Sequence, residues 1–193
     1  AILSDLYKPL QCPMVITDVK TAEMVKYTAN ALLATEIAFI NSVAEICERV
    51  GADVTKVSEG VKLDHRIGQH AFLNAGPGFG GSCFPKDVRA LTRIAQETGE
   101  PFAILEAVNK ENVKHKDTPY QKLKKHLPDL QDKIIAVFGL AFKANTDDMR
   151  ESVSLDFIPK VLKEGARVQA FDPVAEDRAK KEMQDVPGNE RVI

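Results

Sequence analysis

From Asp18 to Val50 the chain reads "DVKTAEMVKYTANALLATEIAFINSVAEICERV", without a single glycine or proline. Such a stretch predicts one unbroken helix, about 50 Å long at 1.5 Å per residue. Gly51 follows as its stop. The middle of the stretch, "ANALLATEIAFINSVA", is apolar nearly all round, and a helix of that kind is buried on most of its faces. A chain of 193 residues has little else to cover it. A second copy of the chain is therefore the expected cover, giving a homodimer built on this helix.

The segments that follow are shorter. A helix is expected over about Asp53–Gly60, then a loop through "KLDHRIGQHAFLNAGPGFGGS". A third helix is expected from about Pro85 to Thr98. A fourth is expected with Pro101 in its first turn, ending near Lys116. Residues 1–127 thus read as an all-helical unit. Beyond "KKHLPDLQDK" the composition changes. "KIIAVFGLAF" reads as a buried strand, "SLDFIPKVLKEG" as a helix closed by Gly165, and "ARVQAFDP" as a second strand. Strand, helix and strand with short links make a βαβ unit and begin a parallel sheet. The fold class read here is α/β: an all-helical unit, then residues 128–193 as the first half of a Rossmann-like domain.

Net charge is -2 and the pI about 6.1, with no Lys/Arg cluster, so neither nucleic acid nor a membrane surface is an expected partner. No apolar run reads as a bilayer span and no signal peptide is visible. Three cysteines, Cys12, Cys47 and Cys83, suit a reducing cytoplasm better than a disulfide framework. The acidic run "NTDDMRE" reads as a loop balanced by Lys143 and Arg150, so no metal site is expected. A start without Met and a stop inside an unfinished unit read as a piece of a longer protein.

The chemistry gathers in "GPGFGGSCFPKD", Gly76 to Asp87. Cys83 precedes Pro85, which suits a first helical turn, so the thiol stands at a helix N-terminus. Unpaired backbone N–H groups and the positive end of the macrodipole favour a thiolate there, and Lys86 adds charge. Gly78, Gly80 and Gly81 read as places where a ligand approaches the backbone closely. The loop lacks the Gly-Lys-Ser/Thr ending of a P-loop, and no strand precedes it as in a Rossmann fingerprint. A lone cysteine also reads simply as a small buried hydrophobe, and that is the reading given to Cys47, while Cys12 reads as an incidental loop thiol. On the long helix Lys26 and Asn30 share a face. They read as solvated polar residues or as a cation and an amide aimed at a developing oxyanion. Asn41 lies close to the same stripe and reads as a structural hydrogen-bonding residue.

"GFGGSCFPKD", "KYTANALLATEIAFIN", "DHRIG" and "GLAFKANTDDMRES" together resemble the UDP-glucose 6-dehydrogenase family, in the family's order and spacing. The resemblance implies a central helical dimerisation domain and the start of a C-terminal nucleotide-sugar domain, without the N-terminal NAD-binding Rossmann domain. It implies oxidation of the C6 alcohol of UDP-glucose to a carboxylate with two NAD+ and no metal. It gives Cys83 the covalent role, Asp87 a role in water and proton transfer, and Lys26 and Asn30 the charge on the C6 oxygen. It assigns the nucleotide-sugar to Phe72, Leu73, Asn74, Ala75, Gly76, Gly80 and Lys143, with Arg66 reaching it across the dimer, and NAD to Lys86 and Arg150. The chain departs from the family's usual pattern at Ser42 (commonly Glu), Phe79 (commonly Tyr) and Ala144 (commonly Pro). Ser82 favours UDP-glucose over UDP-N-acetylmannosamine, whose branch usually has His there.

Other readings stand beside this one. GDP-mannose and UDP-N-acetylmannosamine dehydrogenases share the plan, and this chain alone can be read as a silent dimerisation and sugar-binding module. A thiol hydrolase fits less well, since none of His65, His70, His115 and His126 has a partner motif marking a Cys–His pair. A second NAD site in the βαβ unit, with Asp172 at the ribose, is rejected because "GLAFKAN" lacks the glycines.

Overall fold

The computed structural model describes residues 2–192. Seven α-helices and two β-strands are assigned among them. A short helix α1 (Ile2–Tyr7) leads to the long helix α2 (Val19–Val50). Asp18 caps α2 by accepting the Thr21 N–H at 3.0 Å, and Gly51 closes it in the left-handed region at φ 78°. The expected span of this helix is therefore correct to its caps. Helix α3 (Val54–Lys62) is capped by Asp53 and continues through Gly60, so the expected stop there is wrong. Helix α4 (Phe84–Glu97) carries Pro85 in its first turn, as expected.

Helix α5 (Ala103–His126) differs most from expectation. Pro101 lies before its N-cap, Phe102, and the helix runs well past Lys116, straight through Pro119. A proline there removes one backbone hydrogen bond and crowds the preceding turn. The helix continues because Tyr120, Leu123 and Leu127 pack on the core of the second half of the chain, offsetting that cost.

Two hydrophobic clusters result. The first gathers Ala31, Ala34 and Ala38 of α2 with Phe79, Val88, Leu91, Leu105 and Val108. Alanines at i, i+3 and i+7 make a flat stripe on which α4 and α5 settle closely. By length and apolarity α2 is sufficient to cross a membrane, with mean hydropathy 1.2 in its most apolar window. That corrects the expectation that no run in the chain is. Here the same residues form the central helix of a packed cluster.

The second cluster holds Leu130, Leu140, Met149, Ile158, Val161, Leu162 and Val168 among others. Strands β1 (Ile134–Phe138) and β2 (Arg167–Phe171) pair in parallel, from Ile134 opposite Arg167 to Phe138 opposite Phe171, and α6 (Val153–Lys163) crosses between them. A final helix α7 (Glu176–Glu182) follows. The expected βαβ unit is present, but β1 is not buried on both faces. Ile135 and Val137 turn to the core while Ile134 and Phe138 are exposed. Asp172, at the end of β2, accepts N–H bonds from Leu140, Ala141, Val174 and Ala175. Burial alone would push its carboxyl up, but these amides outweigh it and hold it at about 2.

Candidate functional site

The cysteine loop lies where α2, α4 and α5 meet the βαβ unit. Cys83 is the N-cap residue of α4 and is exposed. Its carbonyl accepts the Asp87 N–H at 2.8 Å, closing the first turn. Asp87 therefore stands one turn below the thiol, and its side chain is almost wholly buried. Asn30 Nδ2 donates to Asp87 Oδ2 at 2.5 Å, and Lys26 Nζ donates to Asn30 Oδ1 at 3.1 Å. Lys86 Nζ forms an ion pair with Asp87 Oδ1 at 2.9 Å. The fold thus gathers all four residues proposed for catalysis, with Lys86, at one place.

Burial pushes the Asp87 carboxyl up. The contacts with Lys86 and Asn30, and the charges of Lys86 and Lys26, outweigh burial and hold it below the usual carboxylate range. Asp87 is therefore an anion at neutral pH. Its Oδ1 has the charge of Lys86 beside it but no well-directed hydrogen-bond donor. That oxygen is itself shut off from solvent.

The segment Phe72–Gly76 is held mainly through its backbone. Glu36 accepts the Phe72 N–H at 2.8 Å, Ser58 Oγ donates to the Leu73 carbonyl at 2.6 Å, and Asn41 Oδ1 accepts the Gly76 N–H at 2.8 Å. Asn41 thus plays the structural part read for it. Lys62 reaches the Asn74 side chain at 2.9 Å. Leu73, Asn74 and Ala75 line a cavity of about 830 Å³ shared with α3. The Phe72 ring meets Phe84, the first residue of α4, edge to face.

The glycines have a reason in the packing beside the ligand approach expected of them. A Cβ on Gly80 would lie 2.3 Å from the Glu151 carbonyl oxygen, and one on Gly81 would lie 2.7 Å from the Phe142 ring. Gly81 also sits at φ 80°, where side chains are disfavoured. These residues are bare because the βαβ unit packs on them. Gly78 is pressed similarly against Asn112.

Asn112 is a residue that the sequence did not disclose. It is buried on α5, accepts the Phe79 N–H at 2.7 Å and donates to the Phe79 carbonyl at 3.0 Å. One amide side chain thereby clamps the backbone of the cysteine loop as a neighbouring strand would. No motif marks it, since its partner is 33 residues away.

The remaining candidates lie around this centre. Lys143 stands over the Phe142 ring at 5.4 Å, beside Gly81. Arg150 gives its carbonyl to the Gly81 N–H at 2.8 Å, while its guanidinium forks onto Asp148 at 2.9 and 2.6 Å. That fork draws the Asp148 carboxyl down to about 2. Arg66 forks in the same way onto Asp64. Its side-chain polar contacts are with Asp64, and the fold does not join it to the other candidate residues.

Family models match both parts of the chain: the central domain of the UDP-glucose/GDP-mannose dehydrogenase family over residues 20–114, and that family's UDP-binding domain over residues 136–192. The chain belongs to the UDP-glucose/GDP-mannose dehydrogenase family. It is 51% identical over 91% of its length to UDP-glucose 6-dehydrogenase TuaD of Bacillus subtilis, of which it covers 38%. Among solved structures it is similar to a UDP-glucose dehydrogenase from the archaeon Pyrobaculum islandicum, with TM-score 0.91 and 41% identity, over 96% of this chain and 43% of that one. It is also similar to a UDP-D-ManNAc dehydrogenase from Pyrococcus horikoshii, with TM-score 0.78 and 26% identity, over 99% of this chain and 50% of that one. The chain thus spans about two-fifths of the curated relative. Both the central helical domain and the βαβ start of the UDP-binding domain were expected from the four sequence motifs.

Proposed function

We propose that this chain supplies the covalent and sugar-binding half of an NAD-dependent UDP-glucose 6-dehydrogenase. The observation that carries the reading is the buried Asn30–Asp87 hydrogen bond, one turn below Cys83. It ties the Lys26–Asn30 pair on α2 to the helix that the thiol caps.

In this reading the C6 alcohol is first oxidised to an aldehyde, with one NAD+ as hydride acceptor and the hydroxyl proton released, and the Cys83 thiolate adds to that aldehyde carbon. The oxygen takes the negative charge, which the Lys26 ammonium and Asn30 amide stabilise. Loss of hydride from that thiohemiacetal leaves a thioester on Cys83. Asp87, already anionic, takes the proton of the attacking water, and the carbon leaves as carboxylate while the thiol is restored. A covalent stop suits a four-electron oxidation at one carbon, because the aldehyde is not lost between hydride transfers.

NAD+, when bound, supplies the hydride acceptor. The βαβ unit does not fit it, since "GLAFKAN" lacks the glycines and both Asp172 oxygens are taken by backbone amides. Lys86 and Arg150 fit its edge. Lys86 lies in the first turn of the helix that Cys83 caps and the Arg150 carbonyl accepts the Gly81 N–H, so both exposed cations stand beside the thiol's loop, as a phosphate-bearing ligand there requires. The nucleotide-sugar falls to Phe72–Gly76, Gly80 and Lys143. A cytoplasmic setting, keeping Cys12, Cys47 and Cys83 as the free thiols they are here, belongs to the same reading.

The reading is tested by incubating an enzyme that joins this chain to a dinucleotide-binding domain with NAD+ and one sugar nucleotide at a time. UDP-glucose should be oxidised to UDP-glucuronate at least about tenfold more efficiently than UDP-N-acetylmannosamine or GDP-mannose. Preference for either rival would overturn the substrate assignment.

The dimer belongs to this reading too. Val25, Leu32, Phe39 and Ile46 recur every seventh residue of α2 and are 58–61% exposed. A seven-residue repeat keeps an apolar stripe on one side of a helix, and among the described residues this one stays more than half exposed. The chain should scatter light as a dimer at micromolar concentration, and Leu32→Glu with Phe39→Glu should shift it to monomer. A monomeric mass for the unaltered chain would contradict the interface.

A further inference from the structure

The UDP-binding domain meets the cysteine loop through Phe142, the Arg150 carbonyl and Glu151, and of these Glu151 carries ion pairs to α4 and α5. Its backbone sits in the left-handed region at φ 56°, a conformation that non-glycine residues rarely adopt. Something must hold it there. Its carboxylate accepts Arg89 of α4 at 3.0 Å and Lys116 of α5 at 2.9 Å. Lys116 has only a tenth of its side chain exposed, so this pair is better shielded from solvent than an ordinary surface bridge. The Glu151 carbonyl lies against Gly80, and the carbonyl one residue earlier accepts the Gly81 N–H.

We propose that Glu151 is a positioning residue, which sets the Gly80–Cys83 segment in register with the UDP-binding domain through its ion pairs to Arg89 and Lys116. This rests on the reading of Cys83 as the covalent residue. Its consequence is a direct mechanical link: Arg150 and Lys143 on one side of the seam, and the thiol on the other, share one anchor. Arg89 lies on the helix that Cys83 caps, so the same carboxylate holds both the loop and the helix start. Gly80 is then explained as the socket into which the strained Glu151 backbone fits.

The test uses the chain as it is, with amide hydrogen exchange read by NMR. Glu151→Gln keeps the shape and removes the charge. It should speed exchange at the Gly81 N–H about fivefold, while the core amides of Val108 and Ile158, inside α5 and α6, stay unchanged. Global destabilisation would speed the core amides as well. Lys116→Gln approaches the same pair from the other side. In that background Glu151→Gln should add less than about twofold, the coupling expected of partners in one network. Unchanged exchange at Gly81, equal speeding at the cores, or full additivity of the two changes would each overturn the proposal. Turnover is not read in this experiment, so its failure leaves the role of Cys83 standing. A Cys83 variant that still turned over would leave the anchor standing.

Discussion

Replacing Cys83 by serine should stop net oxidation in an enzyme that carries this chain, lowering turnover on the order of a thousandfold or more. Binding of the UDP-sugar should persist. A hydroxyl is far harder to ionise than a thiol, so addition to the aldehyde fails or ends in an ester that water cleaves slowly. The site itself should survive, because Cys83 is exposed and its side chain caps nothing in α4. Steady-state oxidation and UDP-sugar binding measured on the same variant check this. Wild-type turnover would sink the covalent mechanism. Within the chain alone, iodoacetamide should label the exposed Cys83 well before the buried Cys47.

Asp87→Asn should separate the two halves of the reaction. The amide can still hydrogen-bond with Asn30, so the packing between α2 and α4 is kept. What is lost is the anion that takes a proton from water. The expected result is a slowing of thioester hydrolysis by roughly a hundredfold to a thousandfold. A first rapid formation of NADH should then be followed by a stall, read by its absorbance after rapid mixing. A variant with no burst and an unchanged steady rate would show that Asp87 is not the base. Direction matters here: the carboxyl is held below its usual range by Lys86 and Asn30. The wild-type rate should therefore not fall through loss of this anion until the pH is well into the acid range.

Much of this site was legible because its first contacts are local. Lys26 and Asn30 are one turn apart, and the observed hydrogen bond between them follows from helical spacing alone. Asp18 and Gly51 announce the ends of α2, and Pro85 announces the first turn after Cys83. What was not legible depends on distance along the chain. The Asn30–Asp87 bond joins residues 57 apart, and the Asn112 clamp joins residues 33 apart. No periodicity points to either. The glycines were visible but their purpose was not, since a bare backbone serves a ligand and a neighbouring domain equally well. The end of α5, expected near Lys116, was misplaced for a related reason, with Pro119 just beyond that point. The local effect of a proline is to break a helix, and only packing on a core built by later residues keeps α5 intact.

The central claim is that Cys83 carries the oxidised C6 carbon of the sugar as a thioester until water releases it. It is tested most directly by acid-quenching the Asp87→Asn enzyme during turnover with UDP-glucose and NAD+, then mapping its peptides by mass. The account predicts an acyl adduct of the UDP-sugar on the peptide containing Cys83, absent when Cys83→Ser is added. A stalled enzyme with no adduct, or with the adduct on Cys12 or Cys47, would contradict it.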